Sequence, residues 1–265
     1  MNVLNIIKGY TKTSLSELPL SDAHGNAKER WLVFNKVISP LLAQFKNPKI
    51  LDLAMGSGED STYLLKQGYW VVGNEIDEGF ISSAQELARR EKLNLSIRRD
   101  AWTDIVNSQQ YKSEEFDFIF CLGNSFPAFL LNEEERKKAL LGFWRVLKSG
   151  GILLIDSINY DYMLNNAEEI LKDPENNFLQ SYKTTYIDKR VRTFPIFITP
   201  EKIRMISKHL KNKNYSEAEH YPATQRKTRE FIMKTLGDVK LRVYYDWEEE
   251  RREQYDFIQY VLKKV

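Results

Sequence analysis

Cysteine is nearly absent from this chain, with Cys121 the one example among 265 residues. A single thiol excludes an intrachain disulfide and any metal site built from several cysteines. Histidine is scarce too, and His24, His209 and His220 form no catalytic or metal-ligating constellation in the sequence. No apolar run approaches the roughly 20 residues that a membrane-spanning helix needs. The opening MNVLNIIKGYTKTSLSE lacks the shape of a secretory leader. A cytoplasmic protein that does not enter a membrane is therefore expected. Neither sign of charge dominates, with 39 Lys+Arg against 37 Asp+Glu, so no global field calls for nucleic acid or an anionic surface. Repeats and low-complexity tracts are missing as well.

What the chain has is material for a core. Its hydrophobic content is 42%, with 14 Phe, 14 Tyr and 5 Trp, which argues for one large domain or one domain with a substantial insertion. From about residue 49 to 160, strand-like and helix-like patterns alternate. Lys49–Met55, Trp70–Glu75, Leu95–Arg99, Phe116–Leu122 and Ile152–Ile155 read as strands. Between them, Ser61–Gln67 reads as a short helix. Phe80, Ile81, Ala84, Leu87 and Ala88 recur at helical spacing. Asn132 caps an acidic first turn, and the helix behind it buries Leu140, Phe143, Trp144 and Leu147 before stopping at Gly150-Gly151. Such alternation predicts an α/β fold, a doubly wound parallel sheet covered on both faces.

Four segments follow from the pattern. An N-terminal arm occupies residues 1–30 and a nucleotide-binding core residues 31–170. An insertion over the ligand edge of the sheet occupies 171–223, with antiparallel pieces and a turn at Pro195. Residues 224–265 supply a last helix, ended by Gly237, and two closing strands, Val239–Trp247 and Phe257–Lys263. The charge run EEERREQ between those strands reads as a solvated hairpin tip.

The most informative stretch is KILDLAMGSGEDSTYLLKQGYWVVGNE, from Lys49 to Glu75. An apolar strand runs into Asp52, a Gly56-Ser57-Gly58 turn and a short helix, and a second strand ends at Glu75. This order describes a nucleotide pocket at the carboxyl ends of two parallel strands. The glycines permit a tight turn and close approach of a ligand, and a carboxylate at the tip of the second strand suits the two hydroxyls of a ribose. Dinucleotide sites carry a third small residue and place a pyrophosphate on the helix N-terminus. Here the third position is Ser61 and the helix opens with Glu59-Asp60. Two carboxylates there repel a pyrophosphate and favour a positive sulfonium, which points to S-adenosylmethionine over NAD.

Three further strand ends carry polar residues on the same edge. Asp100, followed by Ala101 and Trp102, reads either as an acceptor for the adenine amino group with an indole over the ring, or as a helix cap beside a core Trp. Asn124 and Ser125 close the fourth strand, where turn formation is the plain alternative. Asn159 and Tyr160 follow the fifth strand and reach the edge that Asn124 occupies.

Together LDLAMGSGEDS, the acidic end at Glu75, FIFCLGNSFPAFL, LKSGGILLIDSINYDYML and DFIQYVLKKV resemble class I S-adenosylmethionine-dependent methyltransferases. Within that superfamily they are most similar to glycine and glycine/sarcosine N-methyltransferases. The resemblance implies a seven-stranded, mostly parallel Rossmann-like sheet with a smaller antiparallel insertion before the last two strands. It implies S-adenosylmethionine as methyl donor, S-adenosylhomocysteine as product and a small-molecule acceptor, with an amine or amino-acid-like compound expected. Residues Ala54 to Gly58 would lie beside the methionine part of the donor and Glu75 on its ribose. Ala101 and Trp102 would meet the adenine, although the family has Asn at the first of these positions. Leu122 would touch the region near the sulfur, and Arg30 would grip the carboxylate. Asn124, Tyr160, Tyr221 and Pro222 match positions around the acceptor, with Asn124 and Tyr160 as its orienting residues and Ser125 beside them.

Two departures bear on the acceptor. Ile158 stands where the glycine enzymes carry a carboxylate-binding Arg, and Ala128 where some members have His. Either Lys183, Arg190, Arg192 or Arg226 supplies the missing cation, or the acceptor is not glycine; the second reading is preferred. Competing functions are a nicotinamide-dependent oxidoreductase, weakened by the acidic helix start, a protein or RNA methyltransferase, and a catalytically silent scaffold. The basic, aromatic stretch Tyr182–Phe197 reads as part of a lid rather than a nucleic-acid surface. Whether nitrogen or oxygen is methylated, and whether the chain forms a homo-oligomer, is not written in the sequence.

Overall fold

Period-two alternation along the strands decides the architecture. In the computed structural model, which describes residues 9, 11–13, 26–178, 191–251 and 254–265, successive residues on each strand enter opposite cores. Leu51, Ile119, Cys121, Leu153 and Ile155 face one way, against Leu140 and Phe143 of the Glu133–Val146 helix and Ile232 of the Gln225–Leu236 helix. Ile50, Phe118, Phe120, Ile152 and Leu154 face the other way, against Trp31, Phe34, Ile38 and Leu41 of the Asn26–Leu42 helix. Each fully buried Leu, Ile or Phe is worth about 1.5–3 kcal/mol, so slipping a strand by one residue would forfeit several such terms at once.

The strands are β1 (Thr11–Lys12), β2 (Lys49–Asp52), β3 (Trp70–Asn74), β4 (Ser96–Arg98), β5 (Phe116–Cys121) and β6 (Leu147–Ile158), followed by β7 (Val191–Ile198), β8 (Ile203–His209), β9 (Asn214–His220), β10 (Lys240–Tyr245) and β11 (Phe257–Lys263). Seven of them form one sheet in the order β10-β11-β6-β5-β2-β3-β4. Pairing is parallel from β6 to β4 and antiparallel for β11 with β6 and β10 with β11. Strand order runs outward in opposite directions from the β2–β5 pair. A crevice therefore opens beyond the carboxyl ends of these two strands.

A second sheet, ordered β1-β9-β8-β7, comes largely from the stretch whose sequence lacks regularity. Its inner residues, among them Phe194, Ile203, Met205 and Ile206, join Ile158, Tyr160, Met163 and Ala128 in a third apolar cluster. Pro195, expected to mark a turn, instead lies inside β7 opposite Met205, with a register shift before Phe197. β7 is an edge strand, and the bulge there accommodates a residue without an N–H.

The Glu133–Val146 helix ends four residues earlier than Gly150-Gly151 suggest. Leu147 is already extended, at φ −78° and ψ 131°, because it pairs with Phe116 at the start of β5. Sheet pairing outweighs the helical spacing of Leu147 with Leu140 and Phe143. Lys183, Arg190, His24 and most of the expected N-terminal arm lie outside the described residues. Among the described residues no helix is long and apolar enough to cross a membrane, and no cluster of His, Cys, Asp and Glu could hold a metal ion.

Candidate functional site

The first wall of the crevice is made of backbone. β2 ends at Asp52, whose carboxylate accepts from Ser61 Oγ at 2.8 Å. Burial, then the nearby charge of Asp60, pushes the Asp52 carboxyl well above the usual carboxylate range. Beyond Ala54 the chain turns through Gly56 at φ +55° and Gly58 at φ +82°. A side chain at Gly58 would put its Cβ 2.9 Å from that of Ala84, whereas one at Gly56 would meet nothing within 4 Å. Gly58 thus serves close packing, and Gly56 borders open space.

Glu75 holds this turn. Its Oε2 accepts from Gly56 N at 3.0 Å, and Oε1 accepts from the Ile76 and Asp77 amides at 2.8 and 3.0 Å. A half-buried carboxylate is thereby fixed at the tip of β3, with Oε2 retaining one lone pair. Across the turn, Asp60 Oδ1 accepts from Arg30 Nη2 at 2.7 Å and from Trp31 Nε1 at 2.8 Å, while Glu59 accepts from Ser57 Oγ at 2.9 Å. The acidic helix start is consequently partly neutralised, a compensation the sequence alone did not reveal. It brings Arg30 to the start of the helix that follows the Gly56–Gly58 turn.

The next corner depends on a residue that sequence reading passed over. Asn74, the last of β3, donates to Asp100 O at 3.0 Å and accepts from Asp100 N at 3.2 Å and Tyr111 OH at 2.7 Å. A polar side chain closing the otherwise apolar WVVGN was the available signal. Asp100 also accepts from Ser108 Oγ at 3.0 Å. Trp102 is anchored by Nε1 donating to Leu53 O at 2.7 Å, and its ring meets Phe126 and Phe143 edge-on. The indole is therefore packed against the core while still belonging to the corner that Asp100 and Ala101 form.

The opposite wall is made of side chains. Asn124 has φ +61°, a left-handed conformation that Asn tolerates better than most residues. Its amide and that of Gly123 both donate to the buried Asp156 carboxylate, at 2.8 and 3.2 Å, near the end of β6. Asn124 Oδ1 accepts from Ile158 N at 2.9 Å. Nδ2 donates to Tyr160 OH at 2.8 Å and lies 3.3 Å from His220 Nδ1, which is itself 3.0 Å from Tyr160 OH. Burial drives the Tyr160 phenol upward and lowers His220 to about 4, so both are neutral at pH 7. Ser125 turns back on the chain, donating to Leu122 O at 3.0 Å.

Tyr221 sits one residue beyond this network. Its amide donates to Ala128 O at 2.7 Å, and its ring lies under the Arg136 guanidinium with Cζ 3.7 Å from the centroid. Ile158 and Ala128, the two departures noted above, meet in one apolar cluster under the second sheet. Of the cations considered as replacements, Arg192 and Arg226 are exposed and Arg226 pairs with Glu230 at 2.9 Å. Sequence reading brought Asn124, Tyr160 and Leu122 to this wall, and the structure adds Asp156 and His220.

Known proteins resemble this chain in sequence and in fold. Residues 50–151 match a family model described as a methyltransferase domain. A glycine/sarcosine N-methyltransferase from Aphanothece halophytica is 36% identical over 119 residues, covering 45% of this chain and 43% of that protein. A glycine N-methyltransferase from Mus musculus is 30% identical over 151 residues, covering 54% of this chain and 51% of that protein. The match thus spans about half the length of these curated relatives. Among solved structures, an S-adenosylmethionine-dependent methyltransferase from Clostridium acetobutylicum superposes with TM-score 0.66 at 18% identity, covering 89% of this chain and 91% of that one. The CcbJ methyltransferase from Streptomyces caelestis gives 0.62 at 12% identity, covering 95% and 98%.

Proposed function

From a chain with the class I methyltransferase fold, resembling glycine and glycine/sarcosine N-methyltransferases, we propose an S-adenosylmethionine-dependent enzyme that methylates a small neutral amine. The observation that carries this reading is the loop from Ala54 to Gly58, pinned by Glu75 at the point where strand order reverses. Open space at Gly56, a fixed carboxylate with a spare lone pair on Oε2 and a guanidinium near the same turn fit a donor with a ribose, a carboxylate and a positive sulfur. S-adenosylmethionine supplies an already activated methyl group, so the protein's task is to position reactants and exclude water.

The roles of the chain's own residues follow from their places. Glu75 accepts from ribose hydroxyls, Arg30 meets the carboxylate, and Asp100, Ala101 and Trp102 form the adenine corner. Asp52 and Gly58 hold the loop from below, and Leu122 lies beside the sulfur. Asn124 orients the acceptor and the fully buried Tyr160 positions Asn124, Ser125 shapes the turn that carries Asn124, and Tyr221 braces the acceptor side. The second sheet covers the acceptor as the insertion over residues 171–223. An amine must arrive neutral to be nucleophilic, which a desolvated pocket favours. A dedicated base is not required.

Glycine is disfavoured as acceptor. The relatives named for it are only partly matched, and Ile158 offers no partner to a carboxylate. A charge-assisted hydrogen bond is worth roughly 1.5–3 kcal/mol, and a guanidinium–carboxylate fork makes two.

Binding tests the donor assignment directly. S-adenosylhomocysteine should raise the melting temperature, whereas NAD and NADP should not; stabilisation by NAD alone would replace this reading with an oxidoreductase. A screen of small amines, amino acids and hydroxyl compounds with labelled donor then identifies the acceptor. In that assay, Ile158→Arg should gain glycine turnover, and strong wild-type glycine activity would contradict the argument from Ile158.

A further inference from the structure

The groups around His220 constrain one another's protons. The Ile158 amide can only donate, so the Asn124 atom 2.9 Å away must be the carbonyl oxygen Oδ1. Asn124 Nδ2 is then fixed as the donor toward Tyr160 OH and His220 Nδ1. Among the described residues Nδ1 is the one acceptor within reach of the fully buried Tyr160 hydroxyl, which already accepts from Asn124, so the arrangement that satisfies every group leaves His220 Nδ1 without a proton. Tyr160, whose oxygen receives the Asn124 proton, gives its own to His220 Nδ1 at 3.0 Å. Every bond in the chain from Ile158 through Asn124 and Tyr160 therefore ends on one ring nitrogen.

A neutral imidazole bare at Nδ1 bears its proton on Nε2. Burial keeps the ring neutral. Nε2 makes no hydrogen bond among the described residues, yet it is not one of the unpartnered atoms shut away from solvent, which are Arg145 Nε, Trp247 Nε1, Gln259 Nε2 and Tyr260 OH. His220 as a whole is 5% exposed. Its accessible surface thus includes a single oriented N–H, in a ring packed edge-on to Phe129 at 4.8 Å and close to the apolar wall of Ile158 and Ala128.

We propose that His220 binds the methyl acceptor through Nε2–H, holding a neutral oxygen of that molecule, such as a carbonyl, hydroxyl or ether. The inference rests on the methyltransferase reading and narrows its substrate class to amines that also carry an uncharged oxygen. Donation to the reacting nitrogen would occupy the lone pair needed for attack, so the oxygen is the atom held. His220 is accordingly a binding residue and not a proton acceptor. With Ile158 in place of a cation, a neutral donor matches a neutral group.

Two measurements on the full chain decide it. Nitrogen-15 NMR of selectively labelled histidine, with His220 assigned by its loss in His220→Asn, should show Nδ1 unprotonated and Nε2 protonated at pH 7. A protonated Nδ1 or a cationic ring would overturn the proposal, and this arm needs no acceptor and no methyl transfer. The second arm takes the best acceptor of the amine screen and its analogue lacking the oxygen, with ethanolamine and propylamine as the simplest such pair. His220→Asn places an acceptor at the δ position and nothing at ε, and His220→Gln does the reverse.

The expected result is an acceptor KM raised about tenfold or more in His220→Asn, the scale of one lost hydrogen bond. His220→Gln should recover most of that loss, and both variants should bind S-adenosylhomocysteine as the wild type does. Equal KM values in the two variants, equal use of the acceptor and its oxygen-free analogue, or a best acceptor with no neutral oxygen would each defeat it. Failure of the wild type to bind S-adenosylhomocysteine would instead defeat the methyltransferase reading, leaving the tautomer measurement intact.

Discussion

The two walls of the crevice are built by different means. On the β2–β3 side the ligand-facing surface is a glycine turn held by a carboxylate nineteen positions further on, so that the Gly56–Glu75 bond closes a short segment. On the β5–β6 side Asn124, Tyr160 and His220 converge from sequence separations of 36, 60 and 96. The first wall is a local motif that any sequence with the right turn and strand spacing would reproduce. The second exists only when two sheets dock on one another, because His220 ends a strand of the second sheet.

The contrast can be broken most severely at Gly58. Gly58→Val must force a left-handed φ of +82° on a β-branched residue and drive a Cβ against Ala84. The cost of such a change is on the order of several kcal/mol, so either the fold or S-adenosylhomocysteine binding should be lost, as calorimetry would show. Asn124→Ala cuts the other wall. It should leave S-adenosylhomocysteine affinity within about threefold while lowering acceptor kcat/KM by roughly 10- to 100-fold, the cost of orphaning buried partners. A matched loss of both affinities would show that the walls are not separable. Unchanged kcat and KM would remove Asn124 from the acceptor site.

A more graded test uses pH. The folded pKa of His220 is lowered to about 4 by burial, below the unfolded value near 6.5. The unfolded chain therefore binds this proton first, and stability falls as pH drops from about 6.5 to about 4. The full penalty is roughly 3 kcal/mol. Subtracting the urea unfolding curves of His220→Asn from those of the wild type isolates this contribution from the carboxylates that titrate in the same range. A difference independent of pH would mean that the ring is not buried as a neutral group.

The β2–β4 half of the site was legible because its determinants are spacing and residue type: Gly56, Gly58, Glu75, Asp100 and Trp102 lie at strand ends that alternation locates. Asn74 was missed because its one signal, a polar side chain closing an apolar strand, does not name its partner Asp100, 26 residues away. Pro195 misled for the complementary reason, as an edge strand with a bulge tolerates a residue that ordinarily signals a turn. Helical spacing also extended the Glu133–Val146 helix too far, because pairing of Leu147 with Phe116 is invisible locally.

By itself, the amino-acid sequence determined the alternating sheet and the turn at its switch point, since these depend on interactions between near neighbours. Only the tertiary structure decided that Asp60 is ion-paired with Arg30 and hydrogen-bonded by Trp31, and that Asn124 bonds Ile158 and Tyr160 beside His220. Charge compensation and hydrogen-bond pairing depend on which groups meet across the fold, and a linear order of residues does not contain that information.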